Sequence, residues 1–233
     1  TKQLMLAWAL YVGDSNERLP YAYAQEGNPN HPNYKYAWVH GILNYSNSNP
    51  DNWNITNTLA AGCIWPYTGN SASIYKCPAD RSQVRVGGNG PMVPRIRSLS
   101  MNSWVGMNEG QHTWFGGREF RAYLRSSDFV DPGPAMTWVL IDEHPDSMND
   151  GFFVIDMRGY PNPANTSLPD TPSSTHNGAC GLSYADGHSE IKKWVDSRTA
   201  PPVSYQSGIP GTAVQPNNPD VVWFWERTTR LIK

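Results

Sequence analysis

Two histidines and an aspartate lie within thirteen residues near the end of this sequence. His176, Asp186 and His188 carry imidazole and carboxylate groups, which bind divalent metals and perform acid-base chemistry. Asp186 and Gly187 are also typical of a tight β-hairpin turn. In a hairpin, a rise of about 3.3 Å per residue would separate the two histidines by roughly 20 Å. We therefore expect a structural motif, in which His176 bonds a carboxylate of the Asp142 region on a neighbouring strand.

Four carboxylates within nine positions form a second candidate site, immediately after an apolar run. They belong to Asp142, Glu143, Asp146 and Asp150. Oxygen donors in a strand-end loop are the ligands that calcium requires, and Gly151 permits a sharp turn. The spacing is not that of an EF-hand, and an acidic turn that bonds its own backbone has the same composition. The sequence leaves both interpretations open.

The three cysteines are Cys63, Cys77 and Cys180. They have no C-x-x-C spacing, which argues against a structural zinc site. A disulfide between Cys63 and Cys77 would close a short loop in an oxidising compartment. The sequence alone does not supply the geometry that this bond requires.

Ten tryptophans and twelve tyrosines give the chain a surplus of large rings. Such rings either pack long loops onto a sheet or lie at the surface, where they stack on sugars or anchor a partner. Trp114 is the best candidate for exposure and for contact with a glycan or a partner. An extracellular protein that binds polysaccharide through aromatic loops is therefore an alternative function.

Sequence signatures of catalysis are absent. The chain has no Gly-x-Ser-x-Gly elbow, phosphate loop, His-Glu-x-x-His helix or dinucleotide fingerprint. We therefore expect a protein that is not an enzyme. A metal-assisted hydrolase that uses His176, Asp186 and His188 is a third hypothesis.

The bulk composition indicates a loop-rich extracellular domain. The 233 residues include 20 glycines and 20 prolines, and only 16% are charged. A net charge of −2 gives no electrostatic case for binding nucleic acid or an anionic membrane. The chain also begins inside an amphipathic helical pattern that includes Leu4, Trp8 and Tyr11. We expect that an upstream secretory or membrane-anchoring segment has been removed.

The elements that must position these residues are one helix and several strands. The helix is expected to end at Gly13, a natural C-cap, and a second short helix is possible at 58–66. Strands are predicted at 97–107, 136–142, 152–157, 179–185 and 188–195. A long irregular loop is expected at 21–57, and the apolar segment 221–225 is expected to dock on the body. The predicted fold is α+β, in a single domain over residues 1–233: a helix at 1–13, then a meandering antiparallel sheet with long loops at 14–233.

Ordered blocks along nearly the whole chain carry a family resemblance. They are residues 1–11, 14–20, 65–67, 75–80, 97–102, 141–143 and 149–153, followed by His176, nine residues, Asp186, Gly187 and His188. With these blocks the chain resembles the prepilin-type, type II secretion pseudopilin-like proteins that carry a C-terminal His-x9-Asp-Gly element.

The resemblance implies a type IV pilin-like fold and a non-enzymatic subunit of a type II secretion or type IV pilus-like assembly. It also implies that the missing segment is the hydrophobic half of the N-terminal helix. That helix would anchor the full-length protein in the inner membrane and contact other pilin-like subunits, with the domain in the periplasm or at the cell surface. The present chain would then be a soluble monomer. Major pseudopilins bind calcium in a loop beside the sheet, although the loop at 142–151 does not match theirs residue by residue.

Overall fold

The fold is α+β, as the sequence predicts. The computed structural model describes residues 1–22, 28–106, 115–206, 208 and 213–232. Within them the helices are α1 (Lys2–Asp14) and α2 (Pro219–Thr228). The strands are β1 (Gln83–Arg85), β2 (Met92–Pro94), β3 (Leu99–Asn102), β4 (Trp138–Asp142), β5 (Phe152–Phe153), β6 (Ala179–Tyr184) and β7 (Ser189–Lys193).

The main sheet has five strands in the order β5-β3-β4-β6-β7, and β1 and β2 form a separate hairpin. Each of the five strand segments predicted from the sequence contains one strand of the main sheet. The expected antiparallel arrangement needs one correction, because β5 pairs parallel to β3, with Met101 opposite Phe152. The loop at 143–151 starts beside Leu99, the first residue of β3, and leads to β5 on the other side of β3, so β5 runs in the same direction as β3.

Strand β4 is the centre of the core. All five of its residues are buried, as expected for a strand covered on both faces. Its apolar residues belong to a single hydrophobic cluster that extends from Leu4 to Trp225. Asp142 is the last residue of β4, so its carboxylate lies at the end of this central strand.

Helix α1 packs with one face inward. Leu4, Met5, Trp8, Tyr11 and Val12 are buried at helical spacing. This face lies against two short 3₁₀ helices, Trp65–Thr68 and Ala72–Tyr75. The helix ends at Asp14, one residue after the predicted C-cap at Gly13.

The second helix predicted at 58–66 is wrong. These residues form turns, and the only helical part is the start of the 3₁₀ helix at Trp65. Here the backbone pairs with a distant segment instead: Cys63 N donates to Ala37 O at 2.8 Å, and His40 N donates to Thr58 O at 3.2 Å. Tertiary hydrogen bonds therefore replace the intrahelical ones.

Helix α2 accounts for the docking of the apolar segment at 221–225. Its N-cap Asn218 accepts hydrogen bonds from the N–H groups of Asp220 and Val221, and Pro219 occupies the first turn. The helix buries Val221, Phe224 and Trp225. In the sequence, Asn218 followed by Pro219 is typical of a helix start and could have predicted this helix.

Candidate functional site

The histidine motif forms the expected hairpin between β6 and β7. Tyr184 N donates to His188 O at 2.9 Å, and Gly187 N donates to Tyr184 O at 2.9 Å. The loop therefore has three residues rather than two, and Gly187 takes the required positive φ of 91°. The His188 ring stacks on Tyr184, and its Nδ1 lies 2.6 Å from Asp186 Oδ1.

His176 lies in a different group of side chains. Its Nε2 is 3.6 Å from Asp142 Oδ2 and 3.3 Å from Cys77 Sγ. His176 therefore lies beside the carboxylate of the Asp142 region, as the sequence predicts, at an ion-pair distance that is longer than a hydrogen bond. Cys77 is an addition that the sequence did not indicate. The structure does not place His176 with Asp186 and His188, the residues of the hydrolase hypothesis, because those two pair with each other on the hairpin.

Ser98 connects two members of the group. Its hydroxyl donates to Asp142 Oδ1 at 2.8 Å and accepts from the backbone N–H of Cys77 at 2.8 Å. Ser98 immediately precedes β3, whose residue Leu99 pairs with Asp142. The sheet register therefore fixes the position of Asp142 relative to the loop that carries Cys77.

Burial dominates the electrostatics of this group. It raises the pKa of Asp142 to about 6. Burial, followed by the charge of Asp142, raises the pKa of the Cys77 thiol to about 11. Both neighbours contact the same ring nitrogen of His176, whereas a catalytic triad places its nucleophile and its carboxylate on opposite nitrogens. The group therefore offers sulfur, nitrogen and oxygen donors rather than an activated thiolate.

A pocket of about 170 Å³ opens onto these donors. Ile74 and Leu99 contribute apolar parts of its lining. Lys76 also lines it, but its ammonium is held by Asp80 at 3.2 Å and by the carbonyl oxygen of Arg95 at 2.9 Å. The His176 side chain is 37% exposed, so the group is accessible from solvent.

The structure does not bring together the four carboxylates of the candidate calcium site. Asp142 and Glu143 are neighbours in extended backbone, which directs their side chains to opposite faces. Glu143 accepts from the Ser100 hydroxyl, and Asp142 accepts from that of Ser98. Among the described residues, the cluster suited to a metal is instead Cys77, Asp142 and His176.

The other two carboxylates bond the backbone. Asp146 accepts from the N–H groups of Ser204 at 2.7 Å and Gln206 at 2.9 Å. Asp150 accepts from the N–H of Phe152 at 3.1 Å. The Asp150 contact matches the acidic-turn interpretation, whereas Asp146 is buried and bonds the backbone of a distant segment.

Two buried arginines occupy the inner side of the same loop. Arg95 donates to the carbonyl oxygens of Pro145 and Met148, and Arg97 donates to that of Asp150 at 2.6 Å. Backbone carbonyls are common calcium ligands in such loops. In this loop the guanidinium groups of Arg95 and Arg97 bind the carbonyl oxygens, and they carry the positive charge that a calcium ion would otherwise bring.

Glu143 and Asp170 form a second electrostatic feature. Burial, together with the charge of Asp170, raises the pKa of Glu143, and burial raises that of Asp170. Asp170 lines a pocket of about 370 Å³ that also includes Asp146. The two carboxyl groups therefore favour a state that retains a proton.

The cysteines and tryptophans lie differently from what the sequence suggested. Cys63, Cys77 and Cys180 are free thiols, so the candidate Cys63 to Cys77 disulfide is not formed in the structure. Cys63 Sγ instead contacts the carbonyl oxygen of Tyr36. Trp114 lies outside the described residues, and the nine described tryptophans are buried or partly buried. Trp53, Trp65 and Trp223 are partly exposed, and glycan binding stays a prediction.

Comparison with protein-family models, curated proteins and solved structures finds no match to this chain.

Proposed function

We propose that the chain is a non-enzymatic, pilin-like subunit of a type II secretion or type IV pilus-like assembly at the cell surface or in the periplasm. The observation that carries the proposal is the outer face of α1. Leu6 is 62% exposed and Leu10 is 49% exposed. They lie on the same side of the helix, opposite the face packed in the core. A second pilin-like subunit would cover this apolar surface.

The order of elements also supports this function. An N-terminal helix leads into a sheet with long loops, which is the arrangement that the resemblance implies for a type IV pilin-like fold. The contact between His176 and Asp142 gives the His-x9-Asp-Gly element a structural role. Within the described residues, neither helix has the length and apolar character needed to cross a bilayer.

The outer face of α1 can be tested by charge substitution. We expect the double variant Leu6→Lys, Leu10→Lys to enter the assembly poorly in cells that produce the natural full-length protein. Each leucine would contribute about 1 kcal/mol to subunit contact, so the pair changes association more than tenfold. The measurement is the amount of protein in the sheared surface fraction and in cross-linked oligomers.

The matched control is Met92→Lys, because Met92 is 49% exposed, like Leu10, but lies on the separate β1-β2 hairpin. This control should assemble like the parent. The isolated double variant should keep its melting temperature, since both leucines are already exposed. Normal assembly of the double variant would overturn the proposal.

A further inference from the structure

Three potential metal ligands converge from three distant parts of the chain. Cys77 follows the 3₁₀ helix Ala72–Tyr75, Asp142 ends β4, and His176 precedes β6. We propose that Cys77 Sγ, Asp142 Oδ2 and His176 Nε2 bind one zinc ion, or a similar divalent transition metal. This site is independent of the proposed subunit role.

The distances suit a tetrahedral zinc centre. Zinc bonds of about 2.3 Å to sulfur and about 2.0–2.1 Å to nitrogen and oxygen place neighbouring ligands about 3.4–3.6 Å apart. Cys77 Sγ and His176 Nε2 are 3.3 Å apart, and His176 Nε2 and Asp142 Oδ2 are 3.6 Å apart. All three ligand atoms lie within 4.8 Å of one another. Small side-chain adjustments would therefore complete the coordination.

The donor types select the ion. Thiolate sulfur and imidazole nitrogen favour zinc and related transition metals, whereas calcium and magnesium require oxygen donors. When the ion binds, the Cys77 thiol releases its proton to solvent and the thiolate sulfur bonds the metal. A thiolate and a carboxylate then carry two negative charges, which balance the charge of a divalent ion.

Residues around the three ligands hold them in position. The Ser98 hydroxyl holds Asp142 Oδ1 and accepts from Cys77 N, which orients two ligands. Such contacts are a usual requirement of metal sites. The pocket of about 170 Å³ leaves room for water or a small ligand at the fourth position. The ion would tie the Cys77 loop to β4 and to the segment before β6.

The first test uses the unmodified protein after removal of metals with a chelator. We expect calorimetry to show one zinc ion per chain and a higher melting temperature when zinc is added, because an ion that binds only the folded state stabilises it. Cobalt should give a thiolate-to-metal charge-transfer band in the near ultraviolet. Excess calcium should not displace either metal. Absence of saturable binding, a cobalt spectrum without thiolate, or displacement by calcium would overturn the proposal.

The second test assigns the ligands. Cys77→Ser and His176→Gln should each lower zinc affinity at least about tenfold. The controls Cys63→Ser and His188→Gln replace the same residue types outside the site and should bind zinc like the parent. Equal affinity in the two ligand variants would reject the assignment. If a variant fails to fold, the cobalt spectrum of the unmodified protein still decides whether a thiolate binds.

Discussion

The guanidinium of Arg95 donates to the carbonyl oxygen of Pro145 at 2.9 Å in an almost fully buried position. A second hydrogen bond, to the carbonyl oxygen of Met148, measures 3.2 Å. Arg95 therefore holds both sides of the turn in the acidic loop, directly after the strand that carries Asp142.

Removing this guanidinium should destabilise the fold. Arg95→Met keeps much of the aliphatic side chain but leaves the Met148 carbonyl without this buried donor. We expect the free energy of unfolding to fall by about 3 kcal/mol. Chemical denaturation measures the change. The exposed control Arg81→Met should shift it by less than about 0.5 kcal/mol, and a similar shift in both variants would contradict the role of Arg95.

The Glu143 and Asp170 pair should make stability depend on pH. Their folded-state pKa values are raised, so the folded protein binds more protons than the unfolded chain. The stabilisation is complete below the unfolded-state values near pH 4 and is lost as pH rises through the raised folded-state values. We expect the free energy of unfolding to fall between about pH 5 and about pH 8.

The variant Glu143→Gln isolates this effect, because the amide cannot ionise. We expect a smaller fall in stability with pH and a gain of about 1–2 kcal/mol near pH 8 relative to the parent. Glu119→Gln is the exposed control and should keep the parent profile. An unchanged slope in Glu143→Gln would show that its carboxyl group does not retain a proton.

Gly106 and Gly69 permit a test of backbone crowding. Their φ angles are 60° and 62°. A Cβ at Gly106 would lie 2.0 Å from Pro20 O, whereas a Cβ at Gly69 would meet nothing within 4 Å. Gly69→Ala should lower the free energy of unfolding by about 1 kcal/mol, which is the penalty of a positive φ angle alone. Gly106→Ala should lower it by at least about 2 kcal/mol more, because the backbone at Pro20 must move. Thermal unfolding compares the two, and equal costs would contradict the predicted clash.

The hydrogen bond from Trp138 Nε1 to Thr228 Oγ1, 2.9 Å long, joins the central strand to α2. Thr228→Val preserves the shape but leaves a buried indole N–H unpaired. The expected loss in the free energy of unfolding is about 1–3 kcal/mol. Thr56→Val, at an exposed position, should be nearly neutral. Denaturation of both variants distinguishes this bond from a general effect of removing a hydroxyl.

The sequence by itself determined the local features. Periodicity located the first helix and the five strands of the main sheet, and the Asp186 and Gly187 pair located the hairpin turn. These features depend on neighbouring residues, whose side-chain spacing and backbone preferences are visible in the sequence. The spacing of the two histidines in a hairpin also separated His188 correctly from His176.

Only the tertiary structure decided which side chains meet. Cys77 and His176 are 99 positions apart in the sequence, and their contact depends on the sheet order and on Ser98 beside β3. The parallel pairing of β5 likewise depends on the path of the preceding loop. The sequence placed four carboxylates close together, yet the structure separates them. Asp142 and Glu143 face opposite ways in extended backbone, and Asp146 and Asp150 bond separate backbone N–H groups. Proximity along the chain therefore suggested an oxygen site, whereas folding assembled a cluster of sulfur, nitrogen and oxygen donors.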